Sequence, residues 1–230
     1  MLTTSKRDFW SEKTTLYFYF DYISPYAYLA WQKIVPLCKK YNIDLKPIPI
    51  VLGAILTQNE TKGPAEILSK RAYTFKDVLR SAKKDDIKIK FPPSHPFNPL
   101  PALRATCFME GHEKHFDLIS DLFNICWRDG KDLSDLTLIS HVLRKYGTEN
   151  GAEKVQEIEI KENLKDKTNQ ALLKGIFGVP SMVINEEVFW GNDRLEFLED
   201  YLSGKDDIDE KELEIALKIP RGMDRKEIRK

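Results

Sequence analysis

The alternation of apolar and polar residues predicts a strand, a helix and a second strand near the start of the chain. Thr15–Phe20 is rich in aromatic residues, as buried strands are. Apolar side chains then recur at helical spacing from about Pro25, and we expect Pro36 to kink or interrupt this helix and Asn42 to end it. Residues 43–52 alternate as a second strand, whose prolines favour a sheet edge or the end of a strand. These segments predict a βαβ unit with a right-handed crossover.

The middle of the chain, between residues 64 and 173, has a mainly helical pattern. Its apolar positions recur at helical spacing over four segments, residues 65–86, 100–130, 135–147 and 152–175. A proline-rich loop of residues 91–101 separates the first two segments. We therefore expect a block of four or five helices inserted after the first βαβ unit.

Strand character returns near the C-terminus. Residues 181–184 and 187–190 flank an Asn-Glu pair, which predicts a β-hairpin. Residues 193–202 predict a short closing helix. The tail of residues 205–230 is dense in charges of both signs, and we interpret it as a peripheral helix or a mobile end. The resulting order of βαβ, helical block and ββα fits several split α/β architectures.

Composition narrows the classes of partner. The 230 residues suffice for one large domain or for a domain with a sizeable insertion. The 36 basic and 36 acidic side chains balance, so no overall field attracts nucleic acid or an anionic membrane. No stretch approaches the roughly 18 apolar residues of a membrane span, and the first residues lack the apolar core of a signal peptide. We expect a cytoplasmic protein, or an organellar one if the source is eukaryotic.

The cysteines point to a reducing compartment. Cys38, Cys107 and Cys126 make an odd count without CxxC spacing, and each lies in an apolar segment. Free cysteine packs as a small hydrophobic residue, so we expect three buried thiols.

Ser24-Pro25 has two interpretations. Ser at the N-cap followed by Pro at the first helical position is the ordinary start of a helix, and such a cap contributes about 1 kcal/mol. A helix N-terminus also stabilises an anion, because its N–H groups are unpaired and its dipole end is positive. The Ser24 hydroxyl could then donate a hydrogen bond to a thiolate held by another molecule.

Ser24-Pro25 marks the junction between a strand and a helix, and two further junctions between elements also have both a structural and a functional interpretation. Pro180 follows a Gly-Val pair at the start of a strand, where a cis peptide bond can be held. Gly191 allows a tight turn, and either Asn192 or Asp193 could cap the next helix. In the functional interpretation this polar loop holds a charged ligand, with Asp193 paired to an ammonium group.

The histidines do not predict a metal site. His112 and His115 are three residues apart but have no further ligand at a recognised spacing, and we expect them to be solvated. His141 lies in an apolar helix and is expected to be packed. His95 lies between prolines and is a candidate for facing a cleft.

The three junctions together are more specific than any one of them. The segments FDYISPYAYLAW, FGVPSMVI and VFWGNDRLEFLE resemble the signature segments of the 2-hydroxychromene-2-carboxylate isomerase family, the sister of the kappa class of glutathione transferases. Both groups belong to the DsbA-like branch of the thioredoxin superfamily. The resemblance covers roughly residues 15–202, and WGNDRL is closer to the isomerases, because kappa transferases usually have Ser where Asn192 stands.

The resemblance implies an α/β, thioredoxin-like fold with a large inserted helical domain. The thioredoxin-like domain is then discontinuous, over residues 13–60 and 174–204. Residues 61–173 form the inserted helical domain, and residues 205–230 form the charged tail.

The resemblance also implies a role for particular residues. Ser24 matches the family's catalytic serine, which stands where DsbA-like oxidoreductases have their first redox cysteine. Pro180 matches the cis-proline of thioredoxin folds, and the backbone of Val179 is expected to pair with the cysteinyl part of glutathione. The loop expected to hold the γ-glutamyl end comprises Trp190, Gly191, Asn192 and Asp193.

Three positions match less closely. Lys70 aligns with a lysine implicated in the family's site. Thr61 stands where many relatives have Asn, and with His95 it is a candidate for the substrate pocket. The aromatic loop around His95 also differs from that of relatives, which bears on the acceptor substrate more than on glutathione.

The implied activity is glutathione-dependent isomerisation. Glutathione would be bound as a thiolate, add to a conjugated substrate, and leave unchanged after rotation about the former double bond. The alternatives are a kappa-type transferase or peroxidase that acts on hydrophobic electrophiles, and a non-catalytic glutathione-binding module. A thiol-disulfide oxidoreductase is disfavoured because SPYA contains no thiol. The expected partners are glutathione, a small hydrophobic or aromatic substrate and a second copy of the chain, without nucleic acid, membrane or metal.

Overall fold

A four-stranded mixed sheet lies at the centre of the described part of the chain. The structure is a computed structural model, and it describes residues 14–220 and 222. The strands are β1 (Thr15–Phe20), β2 (Asp44–Pro49), β3 (Ser181–Ile184) and β4 (Glu187–Trp190). Their order is β2-β1-β3-β4, in which β1 and β2 are parallel and the other two pairs are antiparallel. The predicted βαβ unit, the edge position of β2 and the C-terminal hairpin are confirmed.

Ten α-helices accompany the sheet within these residues. They are α1 (Pro25–Lys40), α2 (Leu52–Gln58), α3 (Leu68–Lys84), α4 (Leu100–Phe108), α5 (His115–Phe123), α6 (Leu136–Lys145), α7 (Gly151–Lys154), α8 (Ile158–Leu173), α9 (Leu195–Leu202) and α10 (Glu210–Leu217). We call α3–α8 the helical insertion, since they lie in the chain between α2 and β3. The α/β fold with a large helical insertion is therefore confirmed.

Helix α1 starts and ends as its sequence predicts. Ser24 is its N-cap and Pro25 its first residue. The Asn42 backbone has a φ of 55°, and the Ile43 N–H donates to the Cys38 carbonyl at 2.8 Å, which satisfies a carbonyl of the last turn. Of the two expected effects of Pro36, a kink or an interruption, the interruption is wrong, because the helix continues through Pro36 to Lys40.

Three other expectations about elements are wrong. Strand β2 stops at Pro49 and a helix, α2, begins at Leu52, although alternation in the sequence extends to residue 52. The predicted helix over residues 100–130 is divided by a turn in which Gly111 has a φ of 81°. The insertion contains six α-helices rather than four or five, because residues 152–175 also divide, into α7 and α8.

Alternate residues of β1 face opposite sides of the sheet. Leu16, Phe18 and Phe20 are fully buried in one large core with α1 and most of the insertion. Tyr17 and Tyr19 lie on the other side, in a smaller cluster with residues of α2 and α8. The period-2 pattern of the strand therefore separates two cores, as it does in any sheet covered on both faces.

Phe123, the last residue of α5, joins the insertion to the sheet. Its ring contacts four aromatic rings at centroid distances of 4.7–6.2 Å, those of Phe20, Tyr22, Tyr28 and Trp31. The indole N–H of Trp31 donates to Ser120 on the same helix at 2.9 Å. The insertion and the sheet thus share one aromatic core.

The C-terminal tail is helical over α10, and all residues of that helix are exposed. The predicted tail beyond it, residue 221 and residues 223–230, lies outside the described residues. Of the helices in the described ranges, not one combines the length and the apolar character needed to cross a bilayer.

Truncation of Phe123 should weaken the whole fold. Phe123→Ala removes a fully buried ring and leaves a cavity, so we expect the free energy of unfolding to fall by about 3–5 kcal/mol. Phe116→Ala on the same helix is the control, because its ring is 38% exposed and its loss should be less than half as large. Urea unfolding measures both variants, and equal losses would contradict the role assigned to Phe123.

Candidate functional site

Sheet register brings the three sequence junctions to one end of the sheet. Tyr19 pairs with Ser181, so the antiparallel register continued by two residues places Val179 opposite Asp21. Ser181 also pairs with Trp190. Because β1 and β4 both run opposite to β3, the ends of β1 and β4 meet the start of β3. The segments that begin α1, precede β3 and follow β4 are therefore neighbours.

Ser24 caps α1 with its hydroxyl oxygen, and the hydroxyl proton remains available for another hydrogen bond. Its Oγ accepts a hydrogen bond from the Ala27 N–H at 3.2 Å, and the residue is buried. No described residue accepts the hydroxyl proton of Ser24. The Tyr26 N–H, in the same first turn, also donates to no described residue, and Pro25 has no N–H to offer. Two donors thus remain at the positive end of the α1 dipole.

A buried carboxylate lies directly before this turn. Asp21 is fully buried, and its two oxygens accept from the Ile23 N–H at 3.0 Å and the Leu52 N–H at 2.9 Å. Burial raises the pKa of Asp21 to about 7, although both N–H donors favour the charged form and oppose that rise. Asp21 therefore joins the end of β1 to the start of α2 and changes charge near neutral pH.

The peptide before Pro180 presents free backbone groups. The Val179–Pro180 bond is cis, as the resemblance implies. Neither the N–H nor the C=O of Val179 has a hydrogen bond to a described residue. Ser181 donates its hydroxyl to the Gly178 carbonyl at 2.7 Å, which fixes the chain on either side. An extended ligand could pair with Val179 as an added strand does.

The loop after β4 lies beside the cis-proline. The Gly191 N–H donates to the Pro180 carbonyl at 2.9 Å. Gly191 has a φ of 108°, and a Cβ on it would lie 2.6 Å from the Asp193 carboxylate, so glycine is required there. Asn192 is 6% exposed, and its Oδ1 is buried with no hydrogen-bond donor among the described residues.

Trp190 lies next to this loop, but its ring is on the other face of the sheet. Its cross-strand partner Ser181 pairs in turn with Tyr19, which faces away from α1. The indole packs over Gly178, where a Cβ would be 2.6 Å from Nε1, and against Phe177 at a centroid distance of 4.9 Å. Trp190 thus supports the backbone that precedes Val179.

Helix α3 provides the opposite wall. Tyr26 donates its hydroxyl to Asp77 at 2.8 Å, which links the first turn of α1 to α3. Burial, the bond to Asp77 and the nearby Tyr73 and Asp193 raise the pKa of Tyr26. Lys70 lies seven residues before Asp77, on the same face of α3 and roughly 10 Å along the axis. The exposed Lys70 ammonium is therefore a cation on the Ser24 side of this helix.

Thr61 and His95, the two candidates for the substrate pocket, occupy different positions. The Thr61 hydroxyl donates to the Leu56 carbonyl at 3.4 Å, so it satisfies the end of α2. The Nε2 of His95 lies 2.8 Å from the Ile23 carbonyl, and its Nδ1 is buried without a partner among the described residues. His95 therefore contacts the turn that leads to Ser24 through a backbone group.

The remaining histidines depart from two expectations. His115 is buried, with Nε2 3.1 Å from the Thr106 carbonyl, so its expected solvation is wrong. His141 is exposed on α6 rather than packed. His112 is exposed, as expected.

A separate groove of about 520 Å³ lies on the other face of the sheet, between β1 and α8. Tyr17 and the charged side chains of Glu162, Asp166 and Lys174 are among its lining residues. None of the residues predicted for the site lines this groove. The predicted site lies instead at the end of the sheet where β1 and β4 meet the start of β3.

Sequence reasoning did not single out three residues of this site. Asp21 carries a visible signal, since a carboxylate directly follows an apolar strand. Tyr26 and Asp77 carry none, because their hydrogen bond joins positions 51 residues apart.

Comparison with known proteins agrees with this architecture. The family model of the DSBA-like thioredoxin domain matches residues 15–203. The 2-hydroxychromene-2-carboxylate isomerase of Sphingobium xenophagum is 30% identical over 192 residues, which span 82% of this chain and 97% of the relative. Glutathione S-transferase kappa 1 of Caenorhabditis elegans is 23% identical over 201 residues, which span 80% and 89%. A solved structure of 2-hydroxychromene-2-carboxylate isomerase has a TM-score of 0.77 at 25% identity and covers 83% of this chain and 95% of that one.

The chain belongs to the DsbA-like thioredoxin family. The relatives named above are an isomerase and a kappa-class glutathione transferase, both of them enzymes, and the chain is similar to each over about four fifths of its length.

Asp21 should give the fold a characteristic pH dependence. Its pKa is about 7 when folded against an ordinary value of 3.8, so the folded state binds the proton more tightly. The resulting stabilisation is complete below the ordinary value and is lost as the pH rises through about 7. Asp21→Asn cannot titrate, so the free energy of unfolding of wild type minus that of the variant should fall by about 2.5 kcal/mol between about pH 5 and about pH 8. Urea unfolding at both values measures it, and a difference that does not vary with pH would contradict the assignment.

Proposed function

We propose that this protein binds glutathione and catalyses an isomerisation of the 2-hydroxychromene-2-carboxylate type. The observation that carries the proposal is the pair of donors at the start of α1, the Ser24 O–H and the Tyr26 N–H, neither of which has an acceptor among the described residues. Both face the end of a helix dipole that favours negative charge. Two unpaired donors at a helix N-terminus suit the binding of a sulfur anion.

The charges around Ser24 fit the rest of a γ-glutamyl tripeptide. The free N–H and C=O of Val179 suit the backbone of its cysteinyl residue. The exposed Asp193 carboxylate, which also lies 3.3 Å from the Arg194 guanidinium, and the buried Asn192 Oδ1, which has no donor among the described residues, suit its ammonium group. Lys70 supplies a cation for a carboxylate on the opposite wall. The residues present therefore match the cysteinyl backbone, the ammonium group and one of the two carboxylates of glutathione.

The protein's own groups set the charge of the bound sulfur. Glutathione, when bound, supplies a thiolate that adds reversibly to a conjugated acceptor. Free thiols have a pKa of about 8.5, so they are mostly protonated at neutral pH. A charged hydrogen bond from Ser24, with the helix dipole, is sufficient for about two pKa units, or roughly 2.7 kcal/mol. Ser24 therefore acts as a hydrogen-bond donor and not as a nucleophile.

The acceptor substrate has an aromatic surface beside this position. Tyr73 is 64% exposed on α3, one turn from Lys70, and it is close enough to affect the pKa of Tyr26. A small hydrophobic or aromatic molecule that carries a carboxylate suits this surface together with Lys70.

A kappa-type transferase is the second candidate, favoured by the similarity to kappa relatives. Thiol-disulfide exchange is disfavoured by the structure. All three cysteines are buried, and burial raises the pKa of the Cys38 and Cys107 thiols to about 12 and raises that of Cys126 further. Protonated, buried thiols are poor nucleophiles.

Removal of the Ser24 hydroxyl should show whether Ser24 only caps α1 or also stabilises the thiolate of bound glutathione. Ser24→Ala should raise the pKa of bound glutathione by about one unit and slow turnover at least about tenfold, since a charged hydrogen bond is lost. Titration of the thiolate's ultraviolet absorbance in the complex measures the pKa. Asp135→Ala is the control, because Asp135 caps α6 through the Thr137 N–H at 2.8 Å and its loss also costs about 1 kcal/mol. Identical thiol pKa values in wild type and Ser24→Ala would reduce Ser24 to a cap.

The fate of glutathione distinguishes the candidate reactions. Wild-type protein should convert 2-hydroxychromene-2-carboxylate to its isomer while the concentration of free glutathione stays constant. A transferase would instead consume one glutathione per molecule of chlorodinitrobenzene, and a peroxidase would oxidise it with an organic hydroperoxide. Glutathione binding by calorimetry without turnover of any of the three substrates would favour a non-catalytic module. The absence of binding at millimolar glutathione would contradict both enzymatic candidates.

A further inference from the structure

The two carbonyl groups before Ser24 receive hydrogen bonds from side chains of the helical insertion. The indole Nε1–H of Trp127 donates to the Tyr22 carbonyl at 2.7 Å. The Nε2 of His95 lies 2.8 Å from the Ile23 carbonyl. Sheet and helix provide neither bond, because this turn belongs to neither element.

The two N–H groups of the same peptide units are also satisfied. The Ile23 N–H donates to the Asp21 carboxylate at 3.0 Å, and the Ser24 N–H donates to the Asp21 carbonyl at 3.1 Å. Both peptide planes are therefore held at each end. A peptide plane so held cannot rotate without breaking a buried hydrogen bond, which costs about 1–3 kcal/mol.

The protonation state of His95 follows from its partner. A carbonyl has no proton to donate, so Nε2 of His95 carries the hydrogen. Burial lowers the pKa of His95, so the ring is neutral at pH 7 and its buried Nδ1 carries a lone pair. Three aromatic rings lie at centroid distances of 5.7–6.4 Å from the imidazole, those of Phe75, Phe97 and Trp127. The surroundings therefore fix the ring's orientation as well as its tautomer.

The loop that carries His95 is itself fixed. The Arg71 guanidinium donates to the His95 carbonyl at 2.7 Å and lies 4.8 Å from the ring centroid of Phe75. Trp127 is fully buried in the π-helical turn that follows α5. Both donors to the turn thus come from packed parts of the insertion, far from Ser24 in the chain.

We propose that His95 and Trp127 are positioning residues for Ser24, an inference that rests on the proposed glutathione chemistry. Their ring N–H groups fix the carbonyls of the preceding turn, and this keeps the Ser24 O–H and the Tyr26 N–H directed at one position. Donors that are already oriented need no reorganisation when a charge arrives between them. Through His95 and Trp127 the insertion therefore contributes to sulfur activation, although neither side chain contacts glutathione.

A matched set of histidine variants tests the proposal. His95→Phe keeps a ring among the aromatic neighbours but removes the donor, and His95→Gln keeps an N–H donor at a similar reach. His115→Phe is the control, because His115 is also buried and its Nε2 contacts a helix carbonyl, that of Thr106. Urea unfolding of all three variants establishes that the folded state is compared.

The first measurement is hydrogen exchange in the protein without glutathione. The Ser24 amide should exchange at least about tenfold faster in His95→Phe than in wild type, while the Phe18 amide in β1 reports global unfolding. His95→Gln should restore slow exchange, and His115→Phe should leave the ratio of the two amides unchanged. An unchanged Ser24 amide in His95→Phe would overturn the proposal.

The second measurement is the thiol pKa of bound glutathione. We expect His95→Phe to raise it by about half a unit to one unit, whereas His95→Gln and His115→Phe keep the wild-type value. Equal values in His95→Phe and His115→Phe would overturn the role of His95 in sulfur activation. Failure of wild type to bind glutathione would overturn the proposed function, and the exchange measurement would still decide whether His95 holds the Ser24 turn.

Discussion

The buried turn of residues 21–24 is the constraint on which the rest of the site depends. Its polar backbone groups lie between a strand and a helix, so neither ladder satisfies them, and burial makes each unpaired group costly. Asp21, His95 and Trp127 supply the missing partners. The direction in which α1 leaves the sheet, and with it the direction of the Ser24 hydroxyl, follows from those bonds.

Helix capping and sulfur activation use different parts of the same hydroxyl. A lone pair of Ser24 accepts the Ala27 N–H, and the proton remains for another acceptor. The cap and the chemical group are therefore compatible interpretations, and the first prepares the second. The unpaired Val179 peptide and the polar loop after β4 lie at the same end of the sheet because of strand register alone.

The sequence predicted those elements whose ends are marked by capping or turn residues. Ser24-Pro25 marked the start of α1, and the Asn185-Glu186 pair adopts positive φ angles in the hairpin turn. Helix α2 was missed because its cap, Val51, makes no side-chain hydrogen bond and alternation continues past β2. The break near Gly111 was missed because apolar spacing continues on both sides of it.

The candidate site was predictable only in part, for a related reason. Ser24, Val179 and Asn192 lie in recognisable segments, whereas the function of His95 depends on a carbonyl 72 residues away. A contact between positions so far apart in the chain leaves no periodic pattern in the sequence. Long-range hydrogen bonds to the backbone depend on the fold, not on the identity of the residue that offers the carbonyl.

A crystal structure of the protein with glutathione tests the central claim most directly. The account predicts the sulfur within hydrogen-bond distance of both the Ser24 Oγ and the Tyr26 N, with the cysteinyl backbone paired to Val179. A sulfur that contacts neither donor, or glutathione bound in the groove between β1 and α8, would contradict it.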